Sequence, residues 1–215
     1  MVTVFENLKA DYCRYSQGQG RLWKVPFKAL QDAGFRAMVL YRMGRWCRVR
    51  KLNLLAGLCE RVMRHLCLCW IGTHTEIGGG LKIAHCTGLV IGGRTVIGKG
   101  CDVRQNVTLG ANFRKTGPDG RQSPTLGDHV SVCAGAVIIG PVRIGSHCVI
   151  GANAVVTRDI PDNTIAAGVP ARVIKPMWPE DSGRRYEDQD RASECSHQGR
   201  GRASSPDFPD SDLRF

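Results

Sequence analysis

The sequence predicts an all-β main domain, a parallel β-helix wound in six-residue steps, with a small α-helical region ahead of it. Three observations predict this. Between Leu126 and Val156 every sixth residue is aliphatic: Leu126, Val132, Ile138, Ile144, Ile150 and Val156. The same period runs upstream through Ile71, Ile77 and Ile83, and again through Ile91, Ile97, Val103 and Leu109. Glycine often follows the aliphatic residue, and a small or β-branched residue stands four places on, as at Thr75, Cys101, Val130, Ala136 and Ala154. A period of six fits neither a helix at 3.6 nor a lone strand at 2. It fits a triangular coil in which each hexad is one short side, the aliphatic residue points inward, and glycine eases the corner.

The elements follow in order. Residues 4–15 carry a helical pattern with Phe5, Leu8 and Tyr12 on one face, and Gly18 and Gly20 break it. Residues 34–50 are a second helix, with Phe35, Met38, Val39, Tyr41, Met43 and Trp46 on an apolar side. Arg36, Arg42, Arg45, Arg48 and Arg50 cover the rest. Residues 53–69 are a third, with Asn53 placed to cap it. Such basic amphipathic helices either pack on one another and on the end of a coil or lie on a membrane. The coil begins at Ile71.

Its period is interrupted twice. Ile83 and Ile91 are eight apart, and the slip contains Ala84-His85-Cys86-Thr87-Gly88. An insertion in a strict repeat is where a side chain is re-aimed, as bulges do in sheets. Residues 111–124 are polar and rich in Gly and Pro, a loop pushed out of one corner. After Val156 the pattern D-I-P-D-N-T closes the coil, and residues 166–176 run back along its outside. The division expected is a helical region over 1–70, the coil with its returning segment over 71–176, and a disordered polar tail over 177–215.

The formal charge of +11 is uneven. Residues 1–70 hold 13 Lys/Arg against 4 Asp/Glu, whereas 71–176 hold 11 against 6. That bias suits a phosphate-bearing ligand or an anionic surface. No nucleic-acid motif is present, so a nucleic-acid partner is not expected. Ten cysteines do not read as a disulfide framework. Cys101 and Cys148 occupy the small inward position and Cys133 the glycine position, as reduced buried side chains do. Cys67-x-Cys69 alone is a weak metal signal. Neither a signal peptide nor a spanning apolar segment is evident, so a cytoplasmic setting is expected.

At the segments AHCTG (84–88), VTLG (107–110), SPTLGDHVSVCAGAVIIG (123–140) and AGVPARVI (167–174), the chain resembles the hexapeptide-repeat acyltransferases. Within them it is most similar to serine O-acetyltransferases and the exopolysaccharide O-acetyltransferases related to them. The resemblance covers 71–176 and extends into GFRAMVLYRMGRW (34–46). It implies a left-handed parallel β-helix of hexapeptide repeats. It also implies a homotrimer with sites between subunits, and acetyl transfer from acetyl-CoA to a hydroxyl without a metal. His85 matches the catalytic base, the Ala111 amide matches the donor to the thioester oxygen, and Ala134 and Ala152 match backbone contacts to pantetheine. Arg172 and Lys175 are suited to the nucleotide phosphates. Cys86 as a covalent nucleophile is the lesser alternative to direct attack. His74, His129 and His147 each sit three residues after an aliphatic position, on an outward corner.

Three positions depart from the serine acetyltransferase pattern. A second histidine in the corner loop is Ser123 here, leaving Ser123 to face the acceptor. An acidic residue before the base is Ala84, and an upstream aspartate falls on Trp70. Glu76 or Asp102 could orient His85 in its place. These losses favour a saccharide hydroxyl, with L-serine as the alternative acceptor. The basic helices would then serve at the inner face of a membrane. A non-catalytic scaffold stays open. A γ-carbonic anhydrase needs three metal-bound histidines, and His85 has no evident partner.

Overall fold

The computed structural model describes residues 4–16 and 22–177. The break expected at Gly18 and Gly20, and the tail after Met177, lie outside the described residues. From Trp70 onward the chain winds a left-handed β-helix with three flat faces. Face A stacks β1 (Trp70–Ile71), β4 (Val90–Ile91), β7 (Thr108–Gly110), β10 (Val137–Ile139) and β13 (Val155–Val156). Face B stacks β2 (Glu76–Ile77), β5 (Val96–Ile97), β8 (Thr125–Leu126) and β11 (Arg143–Ile144). Face C stacks β3 (Lys82–Ala84), β6 (Asp102–Arg104), β9 (Ser131–Val132), β12 (Val149–Ile150) and β14 (Thr164–Ala167), and β15 (Arg172–Pro176) follows.

The register is set by the hexad. Ile71 pairs with Ile91, Ile91 with Leu109, Leu109 with Ile138, and Ile138 with Val156. All five point into the prism and are at most 1% exposed. Cys101 and Cys148 are fully buried there, as their hexad position requires. Truncating one such isoleucine to alanine costs about 2–5 kcal/mol, because the stack cannot close over the gap.

The coil does not end at Val156. Ile160 bridges Ile144 on face B, and β14 adds one more strand to face C, parallel to β12. The chain reverses only at Gly168–Ala171, and β15 returns antiparallel to β14. The D-I-P-D-N-T segment therefore turns corners within the coil: Asp159 accepts from Arg143 N–H at 2.8 Å, and Asp162 from Ser146 N–H at 2.6 Å.

The helical region comprises α1 (Val4–Tyr15), a 3-10 turn (Leu22–Lys24), α2 (Val25–Gln31), α3 (Ala33–Val49) and α4 (Asn53–Cys67). The short α2, with proline in its first turn, was not expected: its Trp23–Leu30 neighbourhood shows the apolar face to solvent, so it lacks the usual amphipathic logic. Asp32 caps α3 by accepting from Phe35 N–H at 3.0 Å. Asn53 does not cap α4. Leu52 holds that place without a side-chain bond, and Asn53 accepts from Arg48 instead.

These helices close the first turn of the coil, whose open strand edges would otherwise leave polar backbone unpaired. Asp11 accepts from the N–H groups of Gly80 and Leu81 at 2.8 and 3.1 Å. Arg42 donates to the carbonyls of Ile77 and Gly78, both at 2.6 Å, and forms a two-bond ion pair with Asp11. Arg42 was expected on the solvent side of α3. It is 4% exposed because its carboxylate partner and the coil edge both lie on the inner side. Met43, expected inside, is exposed. Gly34 explains the close approach of α3: a Cβ there would run into the carbonyl of Ile83. Among the described residues no helix is long and apolar enough to cross a membrane.

Candidate active site

His85 stands where face C turns into face A. Elsewhere this corner is crossed in fewer residues, with a single left-handed position at Asn106, Gly135 or Asn153. The first turn carries two left-handed residues, His85 (φ 58°) and Gly88 (φ 72°), so the insertion bows outward and leaves His85 exposed. A non-glycine residue at positive φ costs energy and is kept where the surroundings impose it. Here they do. Gly88 N–H donates to the Leu68 carbonyl at 2.9 Å, and the Cys86 thiol donates to the Cys67 carbonyl at 3.1 Å. One residue before the bow, the Tyr15 hydroxyl bonds both polar groups of Ile83.

Below His85 the same corner forms one continuous edge. Asn106 N–H reaches Thr87, Gly135 N–H reaches Gln105, and Asn153 N–H reaches Ala134, all at 2.9–3.0 Å. Val155 N–H then reaches Gly168 at 3.0 Å. The edge thus collects His85, Ala134, Ala152 and the 168–171 reversal, with Arg172 and Lys175 following on exposed β15. Small side chains keep this edge open: Ala152 is exposed and Ala134 half-buried. The expected base and the expected donor-binding positions therefore share one line.

Ala111 and Ser123 belong to the other corner of face A. Loop 111–124 leaves there and returns, its neck tied by Asn112 N–H to the Gln122 carbonyl at 2.8 Å. Beside it lies a cleft of about 720 Å³, walled by Arg45, His74, Arg94, Ala111, Phe113 and Arg121 among others. Ser123 lines this cleft at its base: it is 4% exposed, and its hydroxyl accepts from Arg94 N–H at 3.1 Å, shaping the corner. The reading of the sequence missed Arg94 and Phe113. Phe113, 82% exposed in a loop that must solvate its backbone, was the available signal. Within one chain, face A separates this cleft from His85.

Glu76 lies on face B with Arg45, at 3.7 Å, across the prism from the His85 corner. Asp102 is engaged by Arg14 at 3.0 Å. Trp70 lies over Gly72 and Gly92 on face A, and its indole N–H reaches Glu60 at 3.5 Å. Of the outward-corner histidines, His74 is exposed, while His129 and His147 stack at 5.0 Å between centroids.

Residues 123–158 match the family model described as bacterial transferase hexapeptide (six repeats). The chain is 36% identical over 141 residues to a serine acetyltransferase of Synechococcus elongatus, covering 66% of this chain and 57% of that protein. To the Mycobacterium tuberculosis serine acetyltransferase it is 35% identical over 150 residues, 70% of this chain and 64% of the other. The Vibrio cholerae serine acetyltransferase structure superposes with a TM-score of 0.72 at 28% identity, covering 81% of this chain and 67% of that one. A serine acetyltransferase in complex with CoA is 30% identical, with a TM-score of 0.68 over 80% of this chain and 70% of that one.

The chain belongs to the serine acetyltransferase family.

It spans between 50% and 64% of the length of several curated serine acetyltransferases that it matches. The three positions expected to depart from the family pattern, Ala84, Ser123 and Trp70, have defined places in the fold. Ala84 ends β3 beside His85, Ser123 is buried under the cleft, and Trp70 covers the top of face A. No group of three His, Cys, Asp or Glu side chains with metal-holding geometry occurs among the described residues.

Proposed function

We propose that this chain is an acetyl-CoA-dependent O-acetyltransferase with His85 as its general base. The observation that carries this reading is the edge from the exposed His85 down to Ala134, Ala152 and the 168–171 reversal. The acceptor oxygen attacks the thioester carbonyl carbon while its proton passes to His85. A positioned imidazole contributes roughly 10²–10⁴-fold to such a step. The carbonyl electrons move onto oxygen, where the Ala111 N–H donates. Collapse breaks the carbon–sulfur bond, and His85 returns the proton to the departing CoA thiolate. Backbone groups at Ala134 and Ala152 hold the pantetheine arm, and Arg172 and Lys175 meet the nucleotide phosphates.

The two corners of face A must come together for this chemistry, and one chain keeps them apart. A homotrimer solves the problem by setting the His85 edge of one copy against the Ala111 corner of the next.

The names of the relatives favour L-serine as acceptor. The residues of the site favour a saccharide, and we take that reading first. The loop residue aligned with the family's second histidine is buried and already hydrogen-bonded. The cleft beside it is roomy and polar, with an exposed aromatic ring in Phe113. We place the chain in the cytoplasm, touching the inner membrane surface through its helices. Trp23, Phe27 and Leu30 of the 3-10 turn and α2 are exposed, and Leu30 lies near exposed Leu66 of α4, because Arg36 bonds the carbonyls of both. Lys24 of the 3-10 turn and Arg61 of α4 are exposed in the same helical region, and basic with apolar residues is the composition of an interfacial surface.

The test is release of free CoA from acetyl-CoA, with L-serine and a panel of mono- and oligosaccharides as acceptors. Turnover with a saccharide, reduced about 10²-fold or more in His85→Ala, is the expected result. Turnover with serine alone would move the acceptor assignment to L-serine. Absence of turnover together with absence of CoA binding would leave a scaffold.

A further inference from the structure

Three cysteines meet directly behind His85. Cys67 ends α4, Cys69 precedes β1, and Cys86 lies in the bow next to His85 itself. Each is 3% exposed, and each neighbours an exposed residue, Leu68 or Thr87. The segment 67–70 runs beside 86–89, tied by the Cys86 thiol to the Cys67 carbonyl at 3.1 Å, by Gly88 N–H to the Leu68 carbonyl at 2.9 Å and by Trp70 N–H to the Leu89 carbonyl at 2.8 Å, and this sets the Cys69 thiol in one buried cluster with those of Cys67 and Cys86. It has one proton, so it donates to one of them at a time. That donation lowers whichever of Cys67 and Cys86 receives it, and the Arg36 guanidinium also lowers both. Cys69 itself is pushed up by the same bonds and by burial. The mechanism above uses none of these thiols. A buried cysteine acting as a small hydrophobe needs no second thiol beside it, and three together with a nearby guanidinium are the surroundings of a reactive centre.

We propose that Cys69 and Cys86 form a reversible disulfide that displaces His85 and switches the site off. The oxidant is a hydroperoxide. The Cys86 thiolate attacks the peroxide, a sulfur–oxygen bond forms, the oxygen–oxygen bond breaks, and water leaves. The Cys69 thiol then attacks the Cys86 sulfur as it gives up its proton, the disulfide forms, and the oxygen departs with that proton as a second water. Two thiols and one hydrogen peroxide become one disulfide and two waters, with two electrons passing from sulfur to oxygen. A disulfide draws the two sulfurs to about 2.05 Å, well inside hydrogen-bond distance, and removes the proton that Cys86 gives to the Cys67 carbonyl. Both changes pull the bow toward β1. His85 holds a left-handed backbone in that bow, so the imidazole swings with it. A thiol or dithiol reductant reverses the bond by exchange.

The consequence for turnover rests on His85 as the base, whereas the disulfide does not. The full chain is therefore treated with hydrogen peroxide, blocked with an alkylating reagent, and digested without reduction. Expected are a Cys69–Cys86 linked peptide, a shift of the His85 ring resonances in NMR, and an activity loss of about 10²-fold restored by dithiothreitol. Cys69→Ser, or Cys69→Ala should the serine variant fold poorly, keeps its basal activity and resists peroxide. Absence of the linked peptide, or linkage of Cys69 to Cys67 alone, overturns the disulfide. A linked peptide with unmoved His85 resonances overturns the switch. Should the reduced protein be inactive, the reading of His85 as base fails separately, and the peptide and the resonances still decide the thiol site.

Discussion

The Tyr15 hydroxyl accepts from the Ile83 N–H at 2.6 Å and donates to the Ile83 carbonyl at 3.2 Å, two residues before His85. A side chain from the first helix thus replaces the neighbouring strand that β3 lacks. Burial pushes the phenol far above its ordinary range, so it stays a donor throughout the accessible pH range. Tyr15→Phe leaves two buried polar groups unpaired and is expected to cost about 1–3 kcal/mol in chemical denaturation. It also lowers kcat with little change in acetyl-CoA KM, because the strand that aims His85 is loosened.

The Asp11–Arg42 pair has a larger effect. Asp11 is fully buried and Arg42 nearly so, and both also hold the coil edge. Arg42→Met strips Asp11 of its charge partner and is expected to destabilise the protein by about 3–5 kcal/mol, read from denaturant midpoints. The double variant Asp11→Leu with Arg42→Met should recover part of that loss. A double variant worse than the single one would show that the backbone bonds outweigh the ion pair.

Glu60 provides a pH dependence. Burial pushes its pKa up, but bonds from the Thr73 hydroxyl and N–H, from Trp70, and the Arg48 charge bring it below the usual carboxylate value. A folded-state pKa below the unfolded one stabilises above the unfolded value, and the benefit disappears as pH falls through the folded value. Glu60→Gln should therefore melt below the wild type at pH 7, by about 1–2 kcal/mol. The two should converge near pH 3. A gap that persists there would assign the effect to packing.

In the proposed function the cleft holds the acceptor and the His85 edge the donor. Phe113→Ala and Arg94→Ala are expected to raise the acceptor KM about 10-fold while acetyl-CoA KM holds. Arg172→Ala should do the reverse. A loss shared equally by both substrates in either set would argue that the corners are not divided in this way.

Vesicle co-sedimentation tests the helical face. The wild type should bind vesicles containing phosphatidylglycerol, weakly bind neutral ones, and release as salt rises. Trp23→Glu with Phe27→Glu should abolish binding and leave soluble turnover intact. Salt-insensitive self-association of the wild type in place of vesicle binding would make the face a contact between copies.

Much of this was legible in the sequence, for identifiable reasons. The coil was, because Ile138, Ile144 and Ile150 each repeat one geometric demand and all three are fully buried. The outward position of His85 was, because an insertion in a strict period has nowhere to go but outward. Arg42 was not: its partner Asp11 is 31 residues away, and charge placement on a helix says nothing of a carboxylate brought by another element. The burial of Ser123 was hidden for a similar reason, since its partner Arg94 lies a full turn of the coil earlier. The coil's continuation through Ile160 and β14 was obscured because Ala166 fills the aliphatic position with a smaller side chain.

The loop over 111–124 exits and re-enters at one corner, and its neck is closed by a single backbone bond between Asn112 and Gln122. Its length and composition can drift without moving any strand in the stack. The donor edge enjoys no such freedom, because each of its residues is also a rung of the coil. Descendants of this fold can therefore rebuild the loop freely while the edge below His85 is inherited with the scaffold itself.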